Sequence, residues 1–570
     1  MTTQMIADHQ EVSSLEQHYG TLLAQLLEER GITDAQEAEA FLKPEYERDL
    51  NDPFLLSDMG RATARVLSAI EKRERIAVYS DFDCDGIPGA VVLHDYFKKI
   101  GYENVEFYIP HRNREGFGFH VRAVEELAAH GVTLIVTIDC GINGARACAR
   151  AEGLGIDVII TDHHLPEGEV PHAYAIVNPN MPNSIYPNLA LCGAGVAFQL
   201  VRALLACGEH TIVEGWEKWL LDMVGMATIA DMVSLREPEN RALATYGLMV
   251  LRKSRRPGIQ QLLRKVRVDQ RTLTEDDIGF SIAPRINAAS RMDAPEDAFR
   301  LLSTDDPVEA GVLVDHLEKL NRKRKTHVAL IVKEAKAKLA TRETLSEVIV
   351  LGNPDWQPSL LGLAANSLAE EYRRPAFLWG RDEKQALKGS CRSDGKANVV
   401  ALMRRASHTL VEYGGHAYSG GFSLSLEHVA TLEHSLCSAL TEEIEDTLDD
   451  ETIVDQDEQD THPKAQTVIP APAHLDSEVY KQLSQLAPFG VGNPRPLFAL
   501  TATVRSVASF GAGDVHRKIT LNEYPLPVIA FFTAKFEGLE NLSAGDPLTY
   551  PVALELSSFG GRRELRLRVV

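Results

Sequence analysis

Short apolar runs alternate with amphipathic stretches between about residue 45 and residue 305. Three of the runs, Ile76–Tyr79, Thr133–Ile138 and Val158–Thr161, are continuously apolar or β-branched, which is the pattern of strands buried on both faces of a parallel sheet. Alternation of such runs with amphipathic stretches is typical of βαβ units. The pattern therefore predicts an α/β domain with a mostly parallel sheet.

A long helical pattern occupies residues 307–340. At about 1.5 Å per residue such a helix spans on the order of 50 Å, enough to bridge two domains. Its middle is basic, which favours a connecting helix over one inside a single domain. A second α/β segment follows at 341–440, with strand candidates Val348–Leu351 and Ala376–Leu378.

The last hundred residues alternate like short strands of a small barrel or sandwich. An acidic stretch precedes them and reads as a solvated linker. The predicted organisation is an N-terminal helical extension (1–44), a parallel-sheet domain (45–305), a connecting helix (306–340), a second α/β domain (341–440), an acidic linker (441–465) and an all-β domain (466–570).

Composition adds limits to this picture. A chain of 570 residues needs several cores, and 44% apolar with 25% charged residues is ordinary for a globular protein. The seven cysteines form no CxxC pair, which favours reduced thiols over disulfides or a zinc ribbon. With no signal-like start and no run of about 18 apolar residues, we expect a cytoplasmic protein that does not bind membranes.

The net charge of −22 by itself argues against a protein that coats nucleic acid. However, residues 442–460 contain eleven acids and no Lys or Arg, so half of the excess lies in one segment. Elsewhere basic clusters occur, at 252–256 and 322–325. Charge distribution matters more than the total, so nucleic acid stays open as a partner. The acidic segment could also compete with DNA or dock a partner.

Three carboxylates, Asp81, Asp83 and Asp85, follow the first buried strand and precede Gly86. A calcium loop of the EF-hand type also begins with alternating acids, but it follows a helix and needs a Glu at its twelfth position, which is Val92 here. A helix-capping turn accounts for one Asp and not for three. The triplet therefore predicts a metal site.

Further acids and histidines follow the other buried strands, and in doubly wound sheets the carboxyl ends of strands meet at one ligand-binding edge. Asp139 follows one of these strands, and Asp162, His163 and His164 follow another. Asp231 is a further candidate ligand. Taken alone, Asp139 could equally be a turn residue, and Asp231 could merely cap a helix. Oxygen donors with one or two imidazoles suit manganese or magnesium better than zinc. So many carboxylates imply two divalent ions, and two such ions are the usual device for phosphoester hydrolysis.

These residues carry a family resemblance. They occur in Asp81-Phe82-Asp83-Cys84-Asp85-Gly86, Thr137-Ile138-Asp139-Cys140-Gly141, Thr161-Asp162-His163-His164 and Ile229-Ala230-Asp231, which resemble the four motifs of the DHH phosphoesterase superfamily. Further segments resemble its single-strand-specific 5′ to 3′ DNA exonucleases: Pro110-His111-Arg112, Glu115-Gly116-Phe117-Gly118, Ala283-Pro284-Arg285-Ile286-Asn287-Ala288, Gly389-Ser390-Cys391-Arg392-Ser393, Gly414-Gly415-His416 and 488–494. Ser80, 287–291 and 356–359 depart from the family pattern.

The resemblance implies a fold and a set of roles. The fold would be a DHH parallel-sheet domain joined by a long helix to a DHH-associated α/β domain, followed by an OB-fold. The implied ligands of two ions, manganese or magnesium, are Asp83, Asp85, Asp139, His163 and Asp231, with Asp139 bridging. Asp81 would support or join them, Asp162 would orient a histidine, and His164 would contact the scissile phosphate. The implied substrate contacts are Arg112, Phe117, Arg285, Ser390, Arg392 and His416.

The resemblance also implies the activity, a metal-dependent exonuclease that degrades single-stranded DNA from its 5′ end to mononucleotides in DNA repair and recombination. A helicase and a single-strand-binding protein are candidate partners. One alternative is a DHH phosphodiesterase acting on short oligonucleotides or cyclic dinucleotides, although such substrates need neither the long helix nor the terminal barrel. Another is an inactive DHH scaffold, but a scaffold has no need of a complete ligand set.

Overall fold

The protein is described from a computed structural model, which covers residues 14–292, 294–449, 468–471, 475–533, 536, 538–557 and 564–570. The described chain begins with four short helices. They are α1 (Ser14–Tyr19), α2 (Thr21–Glu28), α3 (Ala35–Leu42) and α4 (Tyr46–Asp49). Helix α3 begins at a side-chain cap, where Asp34 Oδ1 accepts from the backbone N of Gln36 and Glu37, both at 2.9 Å.

The first lobe, residues 45–305, contains a five-stranded parallel sheet in the order β2-β1-β3-β4-β5. Its strands are β1 (Ile76–Ser80), β2 (Val105–Tyr108), β3 (Leu134–Ile138), β4 (Asp157–Thr161) and β5 (Ala175–Val177). Every residue of β1 and β3 is buried, because helices cover both faces. Along β1, Ile76 and Val78 join one core, while Ala77 and Tyr79 join another on the opposite face.

The helices of the first lobe supply those two covering layers. They are α5 (Met59–Glu71), α6 (Gly86–Ile100), α7 (Val121–Ala129), α8 (Ala145–Gly153), α9 (Gly193–Cys207), α10 (Leu221–Ala230), α11 (Pro238–Leu251), α12 (Pro257–Val266), α13 (Glu275–Asp277), α14 (Ala283–Arg291) and α15 (Pro295–Ser303). The predicted strands and parallel sheet are thus confirmed.

Helix α16 (Pro307–Ala340) connects the first lobe to the next one. Asp306 caps it by accepting from Val308 N at 2.8 Å, and proline at the first helical position needs no hydrogen bond. Near its start the helix contacts α12, α14 and α15, and further along it contacts α17 (Pro358–Tyr372). Leu317 lies in the core of the first lobe and Ile331 in that of the second, so the predicted connecting helix is confirmed.

The second lobe, residues 341–449, has a sheet in the order β6-β7-β8-β10-β9 in which only β6 and β7 run parallel. Its elements besides α17 are β6 (Ile349–Gly352), β7 (Ala376–Arg381), β8 (Leu387–Arg392), α18 (Val399–Arg405), β9 (Leu410–His416), β10 (Ser419–Leu424) and α19 (Leu432–Asp449). Helix α19 runs past residue 441, where the linker was expected to begin, because Leu432, Leu436 and Ala439 anchor it to this core. The rest of that linker lies outside the described residues.

The C-terminal domain is a small closed barrel, in which β12 pairs with both β13 and β15. Its elements are β11 (Val468–Pro470), α20 (Ser477–Ser484), β12 (Leu497–Phe510), β13 (His516–Leu521), β14 (Val528–Ala530), β15 (Pro547–Ser557) and β16 (Glu564–Val569). The predicted OB-fold is confirmed.

The N-terminal helices do not form a separate unit. Leu23 and Leu27 of α2 and Phe41 of α3 share one hydrophobic core with Phe498 and Val552 of the barrel. The two ends of the chain therefore fold together, a contact between distant segments that the local pattern does not show.

Candidate metal centre

The predicted ligands meet because three parallel strands end level with one another. The last residues of β1, β3 and β4 pair across the sheet, so the residues that follow them, Asp81, Asp139 and Asp162, lie side by side. Asp81 N donates to Ile138 O at 3.0 Å, and Asp139 N donates to Thr161 O at 2.9 Å. The sheet register thus continues into the site.

Among the described residues, three overlapping groups of side chains each place one potential ligand atom per residue within 4.8 Å of the others. The groups are Asp85, His163 and Asp231; Asp81, Asp83 and Asp139; and Asp139, His163 and His164. All five predicted metal ligands belong to them. Asp83 and Asp85 fall in different groups, and Asp139 and His163 each belong to two. An oxygen of Asp81 lies within 4.8 Å of oxygens of Asp83 and Asp139, close enough to share a cation with them.

Backbone amides at helix starts orient two of the acids. Asp83 Oδ1 accepts from Asp85 N at 2.8 Å and from Gly86 N at 3.2 Å, at the start of α6. Both oxygens of Asp85 accept amides at the start of α9, from Gly193 at 2.6 Å and Ala194 at 2.8 Å. Helix N-termini favour negative charge, so these amides offset part of the cost of burying the two carboxylates.

Gly193 is required by the close approach of α9 to the acids. A Cβ atom at this position would lie 2.5 Å from the Cβ of Asp139 and 2.7 Å from its Oδ1. Any larger residue would push the helix start away from the site.

Asp162 orients His164. The Asp162 carboxylate accepts from Ile142 N at 2.9 Å and His163 N at 2.8 Å, and its Oδ1 lies 2.8 Å from His164 Nδ1. Burial lowers the pKa of His164, but the hydrogen bond and charge of Asp162 outweigh it and raise that pKa to about 9. His163 instead turns its Nε2 to Asp139 Oδ1, at 3.1 Å. The two histidines therefore face different partners.

The electrostatics of the group fit divalent cations. Burial, and then the charges of neighbouring acids, raise the pKa values of Asp81, Asp139 and Asp231 well above their usual range, and raise that of Asp85 to about 6. Oδ1 of Asp81 accepts no hydrogen bond from the described residues. Buried carboxylates this close repel unless cations neutralise them, and oxygen ligands with imidazole suit manganese or magnesium.

A cleft of about 1010 Å³ lies between the two lobes and borders the metal centre at Phe82. Phe82, which lies between two of the acids, forms part of the wall, as do residues 112–117 of the first lobe and 355–359 of the second. The Phe117 side chain is 54% exposed, and its ring centroid lies 5.4 Å from that of His164. An exposed aromatic ring at this place suits stacking with a base.

The residues predicted to contact phosphate have different surroundings in the structure. Ser390 lines the cleft, and the guanidinium of Arg112 lies 4.8 Å from the centroid of the Phe82 ring. Arg285 Nε donates to Glu318 Oε2 at 2.7 Å on the connecting helix. Its assignment to phosphate binding stays a prediction. The side chain of His416 lies outside the described part of the chain.

Arg291 was not among the predicted site residues, although it lies near Arg112 and Arg392, which were. Its Nη1 donates to Ser359 O at 2.7 Å across the junction between the lobes. Burial lowers the pKa of Arg291 well below its usual range, and the charges of Arg112 and Arg392 lower it further. The guanidinium groups of Arg112, Arg291 and Arg392 repel one another, and a phosphate anion bound among them would relieve that repulsion. The available signal was that Arg291 keeps the arginine of the family pattern in segment 287–291, where Ser290 is the departure.

Comparison with known proteins agrees with this geometry. Three family models match the chain: "DHH family, N-terminal domain" at residues 75–228, "DHHA1 domain" at 345–442 and "RecJ OB domain" at 469–570. The parallel sheet with acids and histidines at its edge, together with these matches, defines a protein of the DHH class.

Similar proteins identify the family within that class. The single-stranded-DNA-specific exonuclease RecJ of Bacillus subtilis is 32% identical over 99% of this chain and 69% of its own, and that of Escherichia coli is 31% identical over 98% and 96%. The crystal structure of RecJ from Thermus thermophilus in complex with Mn²⁺ matches 96% of this chain and 75% of that one, with 27% identity and a TM-score of 0.76. The chain belongs to the RecJ family.

Within the described ranges, no helix is both long and apolar enough to cross a bilayer.

Proposed function

We propose that this protein is a metal-dependent exonuclease that hydrolyses single-stranded DNA from its 5′ end to mononucleotides, in DNA repair and recombination. The observation that carries the proposal is the three overlapping groups of acids and histidines, which adjoin the cleft between the lobes. The protein's relatives in Bacillus subtilis and Escherichia coli are single-stranded-DNA-specific exonucleases, which supports this substrate. The 5′ polarity rests on the resemblance of the motifs.

The proposal assigns a role to each side chain of the centre. Two divalent cations, when bound, supply an activated water and stabilise the charge on the reacting phosphate. Asp83, Asp85, Asp139, His163 and Asp231 would hold them, with Asp81 beside Asp83 and Asp139.

Asp162 and the arginines would position the substrate. Asp162 fixes the ring of His164 through Nδ1, which suits a contact from His164 to the scissile phosphate. Arg112, Arg291 and Arg392 would hold a phosphate group of the strand, since guanidinium groups bind phosphate in a planar, bidentate way.

The cleft also offers a reason for single-strand selection. Stacking needs an unpaired base, and Phe117 presents an exposed ring beside His164. The C-terminal barrel would extend the binding track, as OB-folds do for single strands.

A substrate restricted to single strands has to be supplied by proteins that separate or coat strands, so a helicase and a single-strand-binding protein are the partners we propose. We propose the domain boundaries predicted from the sequence, with two changes: helix α19 extends the second α/β domain to Asp449, and α2 and α3 belong to the core of the C-terminal domain.

Replacement of Asp139 with alanine tests the proposal most simply, because this residue belongs to two of the three groups. We expect the purified Asp139→Ala variant to fold and to degrade single-stranded DNA at least roughly a hundredfold more slowly with Mn²⁺ present. The matched control is Glu103→Ala, at an exposed acid outside the site. Degradation by Asp139→Ala at the parental rate would show that the metal centre is not the catalytic site.

A further inference from the structure

Asp231 is held differently from the other candidate ligands. Asp81, Asp139 and Asp162 extend buried strands, whereas Asp231 ends helix α10, where its N donates to Ala227 O at 2.8 Å. The next residue, Met232, is exposed and has a φ of 61°. The segment 231–237, which we call the Asp231 loop, then crosses to α11 without joining the sheet. Its position must therefore be set by other contacts.

A turn of the C-terminal domain supplies contacts to this loop. The turn consists of residues 490–493 and is called the docking turn here. Leu235 N donates to Val491 O at 2.8 Å. At Gly490, a Cβ would lie 2.9 Å from Leu235 Cδ1. The backbone of the turn therefore lies directly against the loop, and a side chain at Gly490 would require the end of Leu235 to move.

Gly492 makes the closest approach. It has a φ of +73°, and a Cβ at this position would lie 3.1 Å from Arg236 N and would overlap Ser234 Oγ. Ser234 is three residues from Asp231 in the same loop. A side chain at Gly492 would thus meet a strained backbone and would also displace the Asp231 loop.

The docking turn is itself firmly held. Gly490 and Asn493 exchange backbone hydrogen bonds at 3.0 and 3.1 Å. The buried Asn493 side chain donates to Leu486 O at 2.7 Å and to Pro488 O at 2.8 Å, and it accepts from Arg30 Nε at 2.7 Å. On the other side of the loop, Asn240 Nδ2 donates to Ser234 O at 3.1 Å. The loop is therefore held between a rigid turn and helix α11.

We propose that the docking turn is a positioning element for Asp231, so that the C-terminal domain helps to build the metal site that Asp231 shares with Asp85 and His163. The inference rests on the proposed function, since it takes Asp231 as a metal ligand. It adds that the barrel domain acts on metal affinity as well as on DNA binding. Groups that orient metal ligands typically change metal affinity by roughly 10- to 100-fold when altered.

Calorimetric titration of the metal-free full chain with Mn²⁺ tests this directly. We expect Gly492→Ala to weaken Mn²⁺ binding at one of two sites by about tenfold or more, while the KM for single-stranded DNA at saturating Mn²⁺ stays unchanged. The matched control is Gly513→Ala in the same barrel. Gly513 has a φ of +75°, but its Cβ would meet only Val515, at 3.9 Å, so the isotherm should equal that of the parent.

Two further variants keep the test decisive if Gly492→Ala folds poorly. Gly490→Ala meets only the movable end of Leu235 and should weaken Mn²⁺ binding in the same direction but less. Adding Ser234→Gly to Gly492→Ala removes the nearest clash and should restore part of the lost affinity. Parental Mn²⁺ isotherms for both Gly490→Ala and Gly492→Ala would refute the positioning role alone. A parent chain that binds no Mn²⁺ would instead refute the proposed function.

Discussion

Replacing Asp81 with asparagine should make the metal-free protein more stable while reducing its stabilisation by Mn²⁺. One oxygen of Asp81 lies within 4.8 Å of oxygens of Asp83 and Asp139. At an effective dielectric constant of about 20, each like-charged pair at that distance repels by about 3 kcal/mol. Because partial protonation already relieves some of this repulsion, the gain in free energy of unfolding should be up to about 3 kcal/mol.

The asparagine itself costs little at this position. It has nearly the same shape, and Oδ1 of Asp81 accepts no hydrogen bond from the described residues that would be lost. A neutral amide is, however, a weaker ligand for a hard cation than a carboxylate. Mn²⁺ should therefore raise the unfolding midpoint of the Asp81→Asn variant less than that of the parent.

Thermal unfolding near neutral pH, with EDTA and then with excess Mn²⁺, separates the two effects. Glu103→Gln serves as the control, since it removes one exposed acid outside the site and should change neither midpoint. The reasoning fails if Asp81→Asn is less stable than the parent in EDTA, or if Mn²⁺ stabilises both proteins equally.

Three other outcomes follow from the same structure. In EDTA, burial and the charge of Asp83 raise the pKa of Asp85 from 3.8 to about 6. The contribution of Asp85 to the free energy of unfolding is therefore fully present below about pH 4 and is lost as the pH rises through 6. The loss is about 3 kcal/mol from this group; unfolding titrations of parent and Asp85→Asn should differ by that slope, and an identical pH dependence would contradict it. Phe117→Ala should raise the KM for single-stranded DNA by roughly five- to a hundredfold, the worth of about 1–3 kcal/mol of stacking, with kcat at saturation unchanged; a loss confined to kcat would exclude stacking. Arg392→Ala should raise the same KM by roughly tenfold or more, as expected for a charge-assisted hydrogen bond, while Arg404→Ala, at an exposed arginine of the same lobe, should not; equal effects would point to general charge attraction.

Residues at the edge of the parallel sheet could be predicted from the sequence because local rules suffice there. Continuous apolar runs identify β1, β3 and β4, and parallel strands bring the residues after them to one edge. Asp81, Asp139 and His163 meet for that reason. The connecting helix was equally accessible, since its helical pattern covers the 34 residues that α16 occupies.

Contacts that depend on distant partners could not be predicted in this way. The sequence does not show that Arg285 pairs with Glu318, 33 residues away. Arg291 reaches Ser359 across the junction of the lobes. In each case the sequence shows the type of residue, but its partner is determined by the tertiary packing of distant segments.

The position of Asp231 shows the same limit. Its motif identifies it as a candidate ligand, but no local pattern connects it to Val491 and Gly492, about 260 residues further along. Their glycine-rich segment is visible in the sequence only as a family motif. Its contact with Leu235 gives it a physical role in the structure.

The most direct test of the central claim is a nuclease assay on single strands labelled at either the 5′ or the 3′ end, each with and without Mn²⁺. We expect a labelled mononucleotide from the 5′-labelled strand at the earliest times, progressive shortening of the 3′-labelled strand, and neither in EDTA. Early release of the 3′ label, or degradation that persists in EDTA, would contradict a metal-dependent 5′ to 3′ exonuclease.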